Sequence, residues 1–318
     1  MPVSRVTRAE FVEALKRAGV TPGETIHVQS SLPHVGPVEA GDGKDEVLEF
    51  YLEGFRTVLG PAGTLLVHTP FEDYGRYGVP FVVEESPSRA GVFSEFIRTQ
   101  PEATRSMHPI ASTAGIGPQA GAMCDGPHFD GFGWASSWGR MHRANVRFVT
   151  LGLPLRAGLS FAHYVEAQYG VPYQYCKVYD TPVYKGGQRV RGTFTLRVRY
   201  LDFSIAVDII RYQDRLRERG ALVEVTCGRS LIHTVTAHEA FDIGMELMAE
   251  DVYAMLREPP KFRAGEIPFD GPTGPSRYAY DRAEGVVPEP VTGAPPQGSP
   301  VNFDRLRSER PVRGKEKS

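Results

Sequence analysis

DEVLEFYLEGFRTVLGPAGTLLVHTPF, residues 45–71, decides the fold. Apolar residues recur at helical spacing up to Leu59, and Gly60 closes the run. GTLLVHTPF follows, apolar almost throughout, as in a strand buried on both faces. Upstream, PGETIHVQSSL (residues 22–32) carries a short strand from Thr25 to Val28. Strand, amphipathic helix and second buried strand make a crossover unit of an α/β fold. Before it, Thr7 with Glu10 three residues later is a capping signal, and Phe11 and Leu15 continue at helical spacing. After it, residues 88–100 and 238–258 read as helices, and 112–118 and 146–154 as strands. TFTLRVRY (193–200) alternates strictly, as a half-exposed antiparallel strand does. The expected class is therefore α/β: a mixed central sheet flanked by helices, with a small additional antiparallel β region.

The chain has 318 residues, 41% hydrophobic and 23% charged, with a formal net charge of −2. A soluble globular body fits these figures, and no basic stretch precedes the last few residues, so neither nucleic acid nor an anionic membrane is expected as a partner. No run of about 18 apolar residues occurs, and the charged N-terminus has no apolar signal segment. The 3 cysteines are far apart, without a C-x-x-C pair. Together these features point to a reducing, cytoplasmic setting. Residues 1–258 read as one domain. Residues 259–318 are rich in Pro and Gly and read as an arm or tail. Its scattered aromatics leave open packing on the body or in a homo-oligomer.

GLSFAHYVEAQYG (158–170) carries the candidate chemistry. It follows a buried strand and a short loop, where open α/β sheets bind ligands. Ser160, His163 and Glu166 lie three residues apart, on one side of a helix. A neutral imidazole held by a carboxylate is a general base near pH 7. The same spacing also suits a capped surface helix. G-x-S-x-A further resembles a nucleophile elbow, with Ala162 for the second Gly and with His233 or His238 as distant partners. A metal site from His163, Glu166 and His108 is the weaker alternative. Two more segments suit an anion: the loop of small residues after the first strand, 30–41, and the turn RSMHPIAS, 105–112. There is no Walker loop and no G-x-G-x-x-G.

Five stretches, residues 19–41, 59–71, 105–118, 132–141 and 151–172, resemble in order and spacing the aminoglycoside N3-acetyltransferase family, distinct from the common GNAT acetyltransferases. The resemblance covers residues 8–258, an acetyltransferase domain, and implies acetyl transfer from acetyl-CoA to a small-molecule amine. It implies His163 as base, Glu166 as its partner, and Ser160 where the family has threonine. It implies a CoA side built from Ser30, Ser31, Leu32, Val35, Gly36 and Val38, and from Arg105, Ser106 and His108. No metal is implied. The sequence departs from the family at FVVEESPSRAG (81–91) and at Trp138, which stands in place of proline. Both are acceptor-side regions. There the carboxylates Glu72, Asp73, Glu84 and Glu85, with Tyr74, are candidates for holding a cationic amine. A serine acyl-hydrolase using Ser160 and a non-catalytic CoA-binding descendant are the alternative readings.

Overall fold

The structure, a computed structural model, describes residues 5–200 and 205–262. Helix α1 (Arg8–Arg17) starts at the Thr7–Glu10 capping box: the Thr7 hydroxyl accepts from the Glu10 amide, and the Glu10 carboxylate accepts from the Thr7 amide at 2.8 Å. β1 (Thr25–Ser30) follows, then a single turn, α2 (Leu32–Val35), and α3 (Lys44–Leu59), which crosses to β2 (Thr64–His68). The expected strand–helix–strand crossover is thus present, and β1 pairs in parallel with β2, Ile26 opposite Leu65. α1 packs on α3 through Phe11, whose ring meets Phe50, Tyr51 and Phe55. Gly54 permits that approach, because a Cβ there would run into the Phe11 ring. Thr7→Ala is expected to lower stability by about 1 kcal/mol, measured by denaturant unfolding, because the first turn loses its side-chain cap.

Next come α4 (Asp73–Tyr77), β3 (Phe81–Val82), α5 (Val92–Arg98), β4 (Thr104–Arg105), β5 (Thr113–Ile116), α6 (Ala120–Cys124), α7 (Ser137–Arg143) and β6 (Arg147–Leu151). α8 (Leu155–Gly158) and α9 (Phe161–Tyr169) lead to β7 (Gln174–Tyr179), β8 (Val183–Lys185), β9 (Gln188–Arg189) and β10 (Phe194–Arg199). α10 (Ile210–Glu218), β11 (Val223–Cys227), β12 (Ser230–Thr236) and α11 (Ala237–Glu250) complete the body.

The main sheet has seven strands in the order β11-β12-β6-β1-β2-β5-β4. Its centre, β6-β1-β2, is parallel, and the flanking pairs are antiparallel, so the sheet is mixed as expected. β7 and β10 form a separate antiparallel ribbon, and β3, β8 and β9 a second small sheet. Alternation along each strand splits the core in two. Ile26, Val28, Leu65 and Val149 face α1 and α3, whereas Leu66 and Phe148 face Trp138, Phe161 and Val165.

Two expectations shift. The helix read over 238–258 ends at Glu250, because Asp251 turns extended and its carboxylate accepts from the Tyr253 amide. The loop after β1 contains the turn α2. The Pro- and Gly-rich arm lies outside the described residues beyond Phe262. Among the described residues, no helix is long and apolar enough to cross a membrane.

Candidate active site

The carboxyl ends of β1, β2 and β6 open onto a cavity of about 690 Å³, bordered on its other side by the β7–β10 ribbon. Parallel strands place ligands at this end of an α/β sheet. α9 begins there. Its first residue position is held from β1: the Gln29 side-chain amide donates to Ser160 Oγ at 2.8 Å, and its oxygen accepts from the Ser160 amide at 3.0 Å. One turn further on, His163 lines the cavity with its side chain 41% exposed. His163 Nδ1 lies 2.9 Å from Glu166 Oε2, while the Glu166 side chain is only 1% exposed.

Two residues from the start of β7 complete this arrangement. Tyr173 donates its hydroxyl to Glu166 Oε1 at 2.7 Å, and Gln174 donates its amide to Oε2 at 3.1 Å. Both Glu166 oxygens therefore serve as acceptors, Oε1 to Tyr173 and Oε2 to Gln174, with His163 Nδ1 beside Oε2. Burial first, then the nearby Glu166 charge, pushes the Tyr173 hydroxyl well above the usual phenol range, so it remains a donor. In the tautomer that gives Nδ1–H to Glu166, Nε2 is the acceptor nitrogen of the ring, and no side-chain or backbone partner engages it among the described residues. His68 at the end of β2 also lines the cavity. Burial lowers it to about 4, so it stays neutral beside His163. Trp138, 1% exposed, lines the cavity as well; its indole N–H donates to the Ala111 carbonyl at 3.1 Å.

Comparison with known proteins identifies the family of the chain. The family described as aminoglycoside 3-N-acetyltransferase matches residues 27–249. The chain belongs to that family. It is thereby an acyltransferase. It is similar to aminoglycoside N(3)-acetyltransferase VIII of Streptomyces fradiae, 29% identical over 204 residues, 58% of this chain and 69% of that one. The crystal structure of the aminoglycoside acetyltransferase AAC(3)-IVa superposes with a TM-score of 0.65 at 25% identity, covering 81% of this chain and 94% of that one. AAC-IIIb, solved as a binary complex with CoASH, shares the fold at TM-score 0.66 and 22% identity, covering 81% of this chain and 100% of that one.

The remaining residues singled out in this acetyltransferase-family chain divide clearly. Ser30 and Ser31 border the cavity, and the Ser31 hydroxyl pairs with His34 Nδ1 at 2.7 Å. Leu32, Val35 and Val38 instead pack in the α1–α3 core, and Gly36 faces the Arg229 side chain. Arg105, Ser106 and His108 sit behind the wall. The Arg105 guanidinium donates to the Thr69, Val83 and Ser86 carbonyls and to the Thr69 and Ser112 hydroxyls. Ser106 Oγ accepts from the Thr113 amide. His108 Nδ1 accepts from the Ala111 amide, so its Nε2–H donates to the Thr195 carbonyl at 2.9 Å. His108 therefore has no nitrogen to share with His163 and Glu166. Among the described residues, no group of three or more His, Cys, Asp or Glu is placed to hold a metal.

On the other rim, Glu72 lines the cavity but pairs with Arg76 at 2.9 Å, and Asp73 pairs with Arg89 at 2.5 Å. Tyr74 is buried, with its hydroxyl donating to the Thr181 carbonyl. Glu84 Oε1 accepts from the Gly186 amide, and Glu85 Oε2 is buried without a hydrogen bond. Sequence reasoning passed over Gln29, His68, Tyr173 and Gln174. Only the last two left a signal: they follow Glu166 by seven and eight residues, three and four beyond Gly170, which ends the helix.

Proposed function

We propose that this chain is an acetyl-CoA-dependent N-acetyltransferase for a small-molecule amine, transferring directly within a ternary complex. The observation that carries the reading is the imidazole of His163, oriented by a buried carboxylate and open to a cavity at the carboxyl ends of the parallel strands. The family's N-acetyltransferase activity and the CoASH bound by AAC-IIIb support acetyl-CoA as co-substrate. The acceptor nitrogen attacks the thioester carbonyl and passes its proton to His163 Nε2. The tetrahedral intermediate collapses, the C–S bond breaks, and the departing CoA sulfur takes up a proton. Glu166 holds the ring and stabilises the imidazolium that forms. Residues 1–258 make the transferase domain and 259–318 an arm appended to it.

Ser160 fits a supporting place better than that of a nucleophile. Its oxygen accepts from Gln29, and no imidazole bonds it among the described residues. The hydroxyl hydrogen remains for the thioester oxygen. Ser160→Ala is expected to slow acetyl transfer by about tenfold, the worth of one donor; a serine hydrolase would lose all turnover. The overall reading is tested by thiol release from acetyl-CoA against a panel of amines, with mass spectrometry of the product. A mass gain of one acetyl group on the amine supports it. Hydrolysis of acetyl-CoA or ester substrates with no acetylated amine overturns it.

A further inference from the structure

Four arginines line the cavity, Arg76, Arg89, Arg197 and Arg199, against two carboxylates, Glu72 and Glu166. Glu166 is committed to His163, Tyr173 and Gln174. Glu72 is matched by Arg76, and Arg89 by Asp73. Arg197 is different. Its side chain forms no ion pair or hydrogen bond among the described residues, and its Nε is buried without a partner. Leaving a buried N–H of a half-buried guanidinium unmatched is costly unless a ligand supplies the acceptor.

The position of Arg197 says which ligand. Arg197 and Arg199 stand two residues apart on β10, on the face opposite the buried Phe194, Leu196 and Val198. Arg199 pairs across the ribbon with Gln174, the residue that donates to Glu166, and Arg197 pairs with Cys176 one step further out. The arginine pair therefore borders the Glu166 end of the base, while neutral Gln29, Ser30, Ser31 and Ser160 border the other end. Acetyl-CoA carries its phosphates at the far end of a long neutral pantetheine arm, which sets them apart from a thioester held at His163. An anion at this place belongs to the acceptor.

Resting on the acetyltransferase reading, we propose that the acceptor is an amine that itself bears an anionic group, a carboxylate or a phosphoryl group, which Arg197 binds with Arg199 beside it. The planar guanidinium suits either oxyanion. A polycationic amine without such a group meets the same arginines as repulsion.

The test is thiol release by the full chain with matched acceptors: ethanolamine against phosphoethanolamine, butylamine against 4-aminobutyrate, glucosamine against glucosamine 6-phosphate, and neomycin as a polycation. The anionic member of at least one pair is expected to have kcat/KM about tenfold or more above its neutral partner. Arg197→Gln is expected to raise KM for that member about tenfold, with KM for acetyl-CoA unmoved and with Arg197→Lys recovering part of the loss. Thermal melting of each variant controls for folding. Preference for the neutral or polycationic amines overturns the proposal while leaving the transferase reading intact. So does an Arg197→Gln effect confined to KM for acetyl-CoA, which would assign the arginine to the co-substrate's phosphates. Thiol release with none of the amines overturns both.

Discussion

Replacing His163 by alanine is expected to lower kcat for acetyl transfer by about a hundredfold or more, the usual contribution of a positioned general base. An amine is protonated at neutral pH, and its nitrogen cannot attack until the proton has somewhere to go. His163 lines the cavity, and its Nε2 is suited to that task when Nδ1–H is bound to Glu166. The fold should tolerate the change. The side chain is 41% exposed, and α9 keeps its apolar contacts through Phe161, Ala162, Tyr164 and Val165. KM for acetyl-CoA should move little, since the lost interaction is made chiefly in the transition state. Free imidazole added to the variant should restore part of the rate by entering the space left open. The measurements are steady-state thiol release, the thermal midpoint and imidazole rescue. Turnover equal to the parent's removes the base from position 163.

The α/β architecture was legible because its central strands are short apolar runs and its flanking helices carry their own start signals. Residues 64–68 are buried almost throughout, and the Thr7–Glu10 box forms as the spacing predicts. Alternation over 193–200 likewise marked β10, with Phe194, Leu196 and Val198 inward. What local pattern could not show was the end of α11. There a single Asp251 side chain captures a backbone amide and outcompetes helix continuation over residues that keep the helical period. The two-residue strands β3, β4 and β9 are set by tertiary pairing, which leaves almost no sequence trace.

The site divides along the same line. His163 and Glu166 share one helix, so their spacing predicts the contact that the structure places at 2.9 Å. Gln29 reaches Ser160 from 131 residues away, a distance in sequence that no local period spans. The acidic stretch around Glu72 and Asp73 looked like a trap for a cation, yet each carboxylate has an arginine of its own. Arginines 16 residues from Asp73, or four from Glu72, neutralise that charge in the fold, and counting carboxylates along the chain misses it.

Glu166→Gln is expected to cost about a hundredfold to a thousandfold in kcat, through a change of proton position rather than of shape. The carboxylate now accepts from three donors: Tyr173 Oη at 2.7 Å, His163 Nδ1 at 2.9 Å and Gln174 Nε2 at 3.1 Å. A glutamine at this place fills the same volume but brings one oxygen and one NH2. If the NH2 takes the place of Oε2, it opposes the Gln174 amide and forces His163 Nδ1 to accept. The ring proton then sits on Nε2, and the base is lost. If the NH2 takes the place of Oε1, the Tyr173 hydroxyl must accept instead, and the imidazolium formed during reaction loses its counter-charge. Either orientation slows the step. Alanine would be less informative, because it also opens a void and leaves the buried Tyr173 hydroxyl without its acceptor. Because Glu166 acts through the imidazole, the pair should be strongly non-additive: His163→Ala with Glu166→Gln should be about as slow as His163→Ala alone. A double variant slower by the full product of the two single losses would mean that Glu166 works on the substrates by another route, and parental turnover in Glu166→Gln would leave the buried carboxylate with a purely architectural place in the fold.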